Sequence, residues 1–230
     1  MSNVPLYIFT NTEIKGVTHD DVKILKYASD NFRDQYLECL VQVPFDYILT
    51  FNDDYFLTGP PNYSEISRCI DVLSGTNHSQ IRFVRGPNFA NEKENTSLHG
   101  MSNRQPYFFS QTLTLWKRNA LIRIFERVGP SGIARKGTEV QFEVLANKAC
   151  EELGQTGLVY YETEKKVGAA HYECNIVPHV VSAVVDGYWN TKEYAKELRK
   201  IESDYAITLA PERYRQTLLS RIGRLLSENI

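Results

Sequence analysis

The sequence predicts an α/β fold, a mostly parallel sheet flanked by helices with further helices at the C-terminus, and three observations carry that expectation. Short apolar runs alternate along the chain with segments whose apolar residues recur at helical spacing, which is the signature of β-α-β units. The 230 residues, 42% hydrophobic and 23% charged, suffice for one sizeable core and exclude a disordered or fibrous chain. No internal repeat, low-complexity tract or Ser/Pro-rich linker divides the chain.

Residues 5–10 (PLYIFT) form a short apolar run ended by Asn11 and read as a buried strand; residues 22–27 (VKILKY) alternate as a half-buried strand does. Residues 31–43 place Phe32, Tyr36, Leu40 and Val43 at helical spacing, with Ser29, Asp30 or Asn31 to cap them. The next strand, residues 47–51 (YILTF), runs straight into Asn52-Asp53-Asp54. After the Gly59-Pro60-Pro61 turn, residues 63–73 share Ile66, Ile70 and Leu73 on one helical face. Residues 81–84 read as a strand, 86–105 as a long polar loop, 107–116 as β-rich and 118–128 as a helix. Residues 138–153 follow as a helix, 158–161 as a strand, and 192–203 and 211–227 as two helices in the tail.

A net charge of -2 gives no pull toward nucleic acid, so an anionic ligand must be held by local groups. Cys39, Cys69, Cys150 and Cys174 form no CxxC pair and fit buried free thiols in a reducing compartment better than a disulfide framework or a zinc knuckle. The N-terminus lacks a signal-peptide pattern, and no apolar stretch approaches a membrane span. The expectation is a cytoplasmic protein.

Two adjacent carboxylates at the end of a buried strand are costly unless solvated, paired or bound to a metal. In α/β sheets ligands gather beyond the carboxyl ends of strands, which is where Asp53 and Asp54 fall. A divalent cation takes oxygen ligands and bridges to nucleotide phosphates, and it stabilises the charge on a departing diphosphate. The plainer reading is that the pair serves the following turn, where Asp is common.

The segment FDYILTFNDDYFLTGPPNYSEI resembles the central motif of GT-A-type glycosyltransferases, in particular those of surface-polysaccharide (lipopolysaccharide and capsule) gene sets. QPYFFSQTLTLWKRNALIRIF, GTEVQFEV and IVPHVVSAVVDGYWN resemble three further blocks of that group and occur in the expected order. The resemblance implies a GT-A fold over residues 1–190, with 191–230 a helical extension packed on it. It implies a nucleoside-diphosphate-sugar donor, a glycan or lipid-linked acceptor, and Mn2+ or Mg2+ bound by a DxD-like motif. Asp54 matches the metal-contacting position, and Asp53 assists through water or the ribose. Asn52 puts a neutral amide at the motif's first position, which implies weak metal affinity or metal-independent catalysis. Members of the group begin with one more strand-helix unit than PLYIFTN represents, so the sheet is expected to lack a strand and to leave an edge for a partner subunit to cover.

Glu143 matches the terminal Glu of the group's W-x-F-E segment and is the first candidate for the general base, which an inverting transferase needs to take the acceptor's proton. Glu139, one helical turn earlier, is the alternate, and a solvated helix glutamate is the plain alternative. His171 is a candidate metal or diphosphate ligand or a structural histidine. Arg85, at the end of its strand, is preferred to Arg82 for the diphosphate. Trp116 and Trp189 read as core aromatics, and Ser110 and Gln111 as contacts for acceptor hydroxyls. The basic amphipathic residues 211–227 suit either an anionic membrane surface or, more commonly, packing on the domain or a second subunit. Two rivals stand beside the transferase: a non-catalytic binding or assembly protein of the same fold, and a metal-dependent phosphohydrolase, which would need more carboxylates and histidines near Asp53.

Overall fold

The structure, a computed structural model, describes residues 4–14, 19–85, 97–129, 138–168, 171–185 and 187–211; at 138–140 and 171 it describes the backbone alone. β1 (Leu6–Thr10) and β2 (Val22–Lys26) pair in parallel and form a small sheet of their own. α1 (Phe32–Leu40) is capped by the Asn31 side chain, which accepts from the Asp34 N–H. It stops short of Val43 because that residue precedes Pro44, a position that disfavours helical backbone. There follow β3 (Tyr47–Thr50), β4 (Phe56–Leu57), α2 (Tyr63–Gly75), β5 (Gln80–Arg82), β6 (Leu98–Met101) and β7 (Thr114–Lys117). α3 (Arg118–Val128), α4 (Thr138–Glu152) and β8 (Gly157–Tyr160) complete the larger elements. Four two-residue strands come next, β9 (Lys166–Val167), β10 (His171–Tyr172), β11 (His179–Val180) and β12 (Val184–Val185); then come β13 (Tyr188–Trp189) and α5 (Thr191–Tyr205).

The fold is mixed α/β, and its main sheet is not mostly parallel. The five strands run in the order β3-β7-β5-β8-β6, and three of the four neighbouring pairs are antiparallel, only β5 and β8 pairing in parallel. The reason lies in the connections. β3 reaches β5 through α2, and both run against β7, so they share one direction. β6 and β7 follow β5 with no described helix between them, and strands joined by loops are free to reverse. Part of the polar stretch expected as a loop is therefore β6, while residues 86–96 lie outside the described residues. The β-rich stretch expected over 107–116 is a strand only from Thr114. The helix expected over 211–227 lies outside the described residues from 212 onward.

Strand residues alternate between two cores, as a sheet covered on both faces requires. On one face Leu49, Ile81, Leu115, Leu158 and Tyr160 meet α2 through Cys69 and Leu73. On the other, Ile48, Trp116 and Val159 meet α1, α3 and α4 through an aromatic group in which Phe142 contacts Phe32, Phe109 and Phe125. A third cluster joins α5, through Tyr194 and Leu198, to Val180, Ala183 and Trp189. Trp116 and Trp189 are both buried, and all four cysteines are free and buried. No helix among the described residues is long and apolar enough to cross a membrane.

Phe142 is fully buried between three helices. Replacing it with alanine is expected to lower the unfolding free energy by about 3–5 kcal/mol, read from the midpoint of urea denaturation. A shift near zero would show that the aromatic cluster is not packed as described.

Candidate functional site

β3 ends at Thr50, and the Tyr55 N–H donates to the Asn52 carbonyl at 3.1 Å, closing a turn with Asp53 and Asp54 at its centre. Asp suits such a turn, and Asp53 is exposed as a plain turn residue would be. Asp54 is not. It is half-buried, and its Oδ1 is buried with no hydrogen-bond partner among the described residues.

What buries it is a segment more than 120 residues downstream. The Ala183 N–H donates to the Asp54 carbonyl at 2.8 Å, β11 pairs with β4, and the N–H groups of Thr58 and Asn62 reach the carbonyls of Pro178 and Ile176. His179 stacks on Tyr55 with ring centroids 5.9 Å apart. Between these contacts Ser182 adopts a positive φ of 49°, a conformation a non-glycine residue holds only when its surroundings impose it. Its side chain gives the Asp54 carboxyl one hydrogen bond.

The other wall is residues 107–112, and the antiparallel insertion of β7 brings them there. Thr114 stands opposite both Thr50 and Arg82 in register, so the chain entering β7 passes the ends of β3 and β5. Polar side chains, rather than a ladder, take most of its bonded backbone groups. Gln80 and Arg82 donate to the Phe108 carbonyl at 2.9 and 2.6 Å, and Arg82 donates also to the Tyr107 carbonyl. The Asn147 amide bonds both the N–H and the carbonyl of Phe109, each at 3.1 Å. Glu143 Oε1 accepts from the Ser110 hydroxyl at 3.0 Å and the Gln111 N–H at 2.7 Å. This is why the segment is not a strand.

The result is a cleft of about 240 Å³ lined by Asn52, Asp54 and Tyr55 from the first segment, Ser110, Gln111 and Thr112 from the second, Glu143 from α4, and Ser182 from the last. Burial pushes the Asp54 carboxyl above its ordinary pKa, and the charge of Asp53 adds to that, while the bond from Ser182 works against it. Burial likewise raises the Tyr55 phenol, helped by the negative charges of Asp54 and Glu143, so Tyr55 stays protonated. Beneath the cleft Arg82 is 2% exposed; burial draws its pKa down to about 10, opposed by the charge of Glu143, so it remains cationic at neutral pH.

The other residues singled out from sequence lie elsewhere. Arg85 pairs with Glu164 at 2.8 Å and lies over the rings of Tyr161 and Tyr172, 3.9 and 4.4 Å from their centroids, and it does not line the cleft. Of the two arginines it is Arg82 that comes under the site. Glu139 sits in α4 one turn before Glu143, and the side chains of Glu139 and His171 lie outside the described residues. Tyr55, Thr112 and Ser182 line the cleft without having been singled out. Tyr55 was adjacent to the motif, whereas nothing local in the sequence marks the backbone strain at Ser182.

Among the described residues no three His, Cys, Asp or Glu side chains gather as a metal cage. Mg2+ and Mn2+ in nucleotide sites commonly use only one or two carboxylates, with water and phosphate oxygens completing the shell. The orphaned buried oxygen of Asp54, beside Asp53 and the Ser182 side chain, fits that need. No protein-family model matches the chain, and no curated protein matches it either.

Because the folded-state pKa of Asp54 is raised, ionising it costs stability, and that cost appears as pH rises through the unfolded value toward the folded one. Thermal midpoints measured from about pH 4 to about pH 7 without divalent cations are therefore expected to show wild type losing ground to Asp54→Asn as pH rises. Parallel curves would mean that the carboxylate is solvated like any surface aspartate.

Proposed function

We propose that this chain is a glycosyltransferase that moves a sugar from a nucleoside-diphosphate donor to a hydroxyl of a glycan or lipid-linked acceptor, on a GT-A-like version of the mixed α/β fold. One observation carries the reading. Four segments, separated in sequence and each resembling a block of that group, contribute side chains to a single cleft. A turn aspartate needs no such convergence, and a core segment does not leave a carboxylate oxygen buried without a partner.

In this reading Asp53 and Asp54 hold a divalent cation, and the bound ion supplies Lewis-acid stabilisation of the departing diphosphate. Asn52 and the Ser182 side chain fix the aspartates' surroundings. Glu143 is held by two donors at Oε1, which leaves Oε2 uncommitted among the described residues. That second oxygen takes the proton of the acceptor hydroxyl as its oxygen bonds to the anomeric carbon and the diphosphate leaves. Arg82 acts from below: its bonds to the Tyr107 and Phe108 carbonyls pin the chain that orients Glu143.

A nucleotide sugar at about 100 times its dissociation constant, with Mn2+, is expected to add roughly 2.7 kcal/mol of stability, seen as a raised thermal midpoint with one base of a UDP, GDP, CDP and dTDP panel. Asp54→Ala is expected to remove the metal-dependent part of that shift. Absence of a shift with every donor would sink the transferase reading and favour the non-catalytic one. Glu143→Gln is expected to keep the shift and lower transfer by roughly 10²–10⁴-fold; full turnover in that variant would reassign the base.

A further inference from the structure

Two residues lining the cleft each carry a further buried polar atom with no partner among the described residues, the Gln111 side-chain Nε2 and the Thr112 Oγ1. They differ in kind from their neighbours. The Ser110 hydroxyl is committed to Glu143, and the backbone of residues 107–111 is tied down by Gln80, Arg82, Glu143 and Asn147. Residues 111 and 112 are therefore presented on a fixed backbone while their own polar groups are unspent, which is how a preorganised recognition site is built. A buried donor left unmade costs about 1–3 kcal/mol, so natural structures keep few of them without a use.

The chemistry of the lining narrows what those groups meet. An amide N–H donates, and a threonine hydroxyl both donates and accepts. The charged side chains lining the cleft are Asp54 and Glu143, both acidic, and no Lys, Arg or His lines it among the described residues. With no cation on Asp54, a carboxylated ligand would stand against the acidic Asp54 and Glu143 in a partly desolvated space. A neutral ring bearing hydroxyls would not. At about 240 Å³ the cleft falls below the roughly 300–1,000 Å³ of pockets for drug-sized ligands, and it suits one ring rather than a whole nucleoside diphosphate.

We infer that this cleft selects a single neutral, hydroxylated sugar ring over an acidic one, with Gln111 and Thr112 as the specificity-determining pair. The inference rests on the transferase reading for its choice of a sugar, and deepens it by naming the sugar's class.

The test uses the full chain and three probes, methyl β-glucoside, methyl β-galactoside and methyl β-glucuronide, in ligand-detected saturation-transfer NMR. At least one neutral glycoside is expected to bind in the absence of nucleotide and divalent metal, and the glucuronide about tenfold more weakly or not at all. Gln111→Leu combined with Thr112→Val is expected to weaken the neutral glycoside by about tenfold or more, because two hydrogen bonds are removed while the backbone N–H that holds Glu143 is kept. A thermal midpoint checks that the double variant is folded, and each single variant serves if it is not. Equal binding of glucuronide and neutral glycoside, unchanged binding in the folded variants, or no neutral glycoside binding at all would each overturn the inference. The nucleotide panel on wild type separates the two proposals. Glycosides that bind where no nucleotide does leave this inference standing without the transferase; nucleotides that bind where no glycoside does leave the reverse.

Discussion

A segment entering a sheet ordinarily satisfies its backbone by pairing with the next strand, and residues 107–111 do not. Their carbonyl and N–H groups are taken by Gln80, Arg82, Glu143 and Asn147, drawn from β5 and α4. Backbone groups that are buried must find partners somewhere. Because side chains supply them, the chain is held without being flattened into the sheet, and it can turn toward the end of β3. The cleft, the orientation of Glu143 and the place of Gln111 and Thr112 in the cleft lining all follow from that arrangement. Even the sheet accommodates it: Gly157 stands opposite Gln80, and a Cβ there would lie 2.7 Å from the Gln80 side chain that reaches Phe108.

Two desolvated charges frame the same region and differ in how they are met. Arg82, deep on one face of the sheet, spends donors on carbonyls and keeps its charge with Glu143 near. Asp54 has the charge of Asp53 against it and a single side-chain bond from Ser182 for it. The first is a settled structural cation. The second is a carboxyl whose surroundings raise its pKa rather than settle its charge.

The helices and most strands were legible because their apolar spacing is local: β1, β3, α2, α3 and α4 fall within a few residues of where periodicity puts them. The direction of the strands was not legible, since nothing in TLWK distinguishes an antiparallel insertion from a parallel neighbour, and the count of β-α-β alternations missed that β6 and β7 follow β5 with no described helix between them. At the cleft, Asp53, Asp54 and Glu143 could be read from short motifs. Arg82 could not be preferred to Arg85 from the strand IRFVR, because the choice depends on which face of the sheet carries a chain needing donors. Ser182 depends on a backbone angle that only the packed tail imposes.

The cover over Asp54 is supplied by residues 176–183, and this has a consequence for the chain as it is made. Until that stretch has been synthesised and has emerged, Asp54 sits at the end of a strand open to water, and its burial has yet to be imposed. Contacts of such long sequence separation form late, after the local helices. The burial of Asp54 therefore waits on a closure across more than 120 residues of chain, and the acid gains its raised pKa only with that closure.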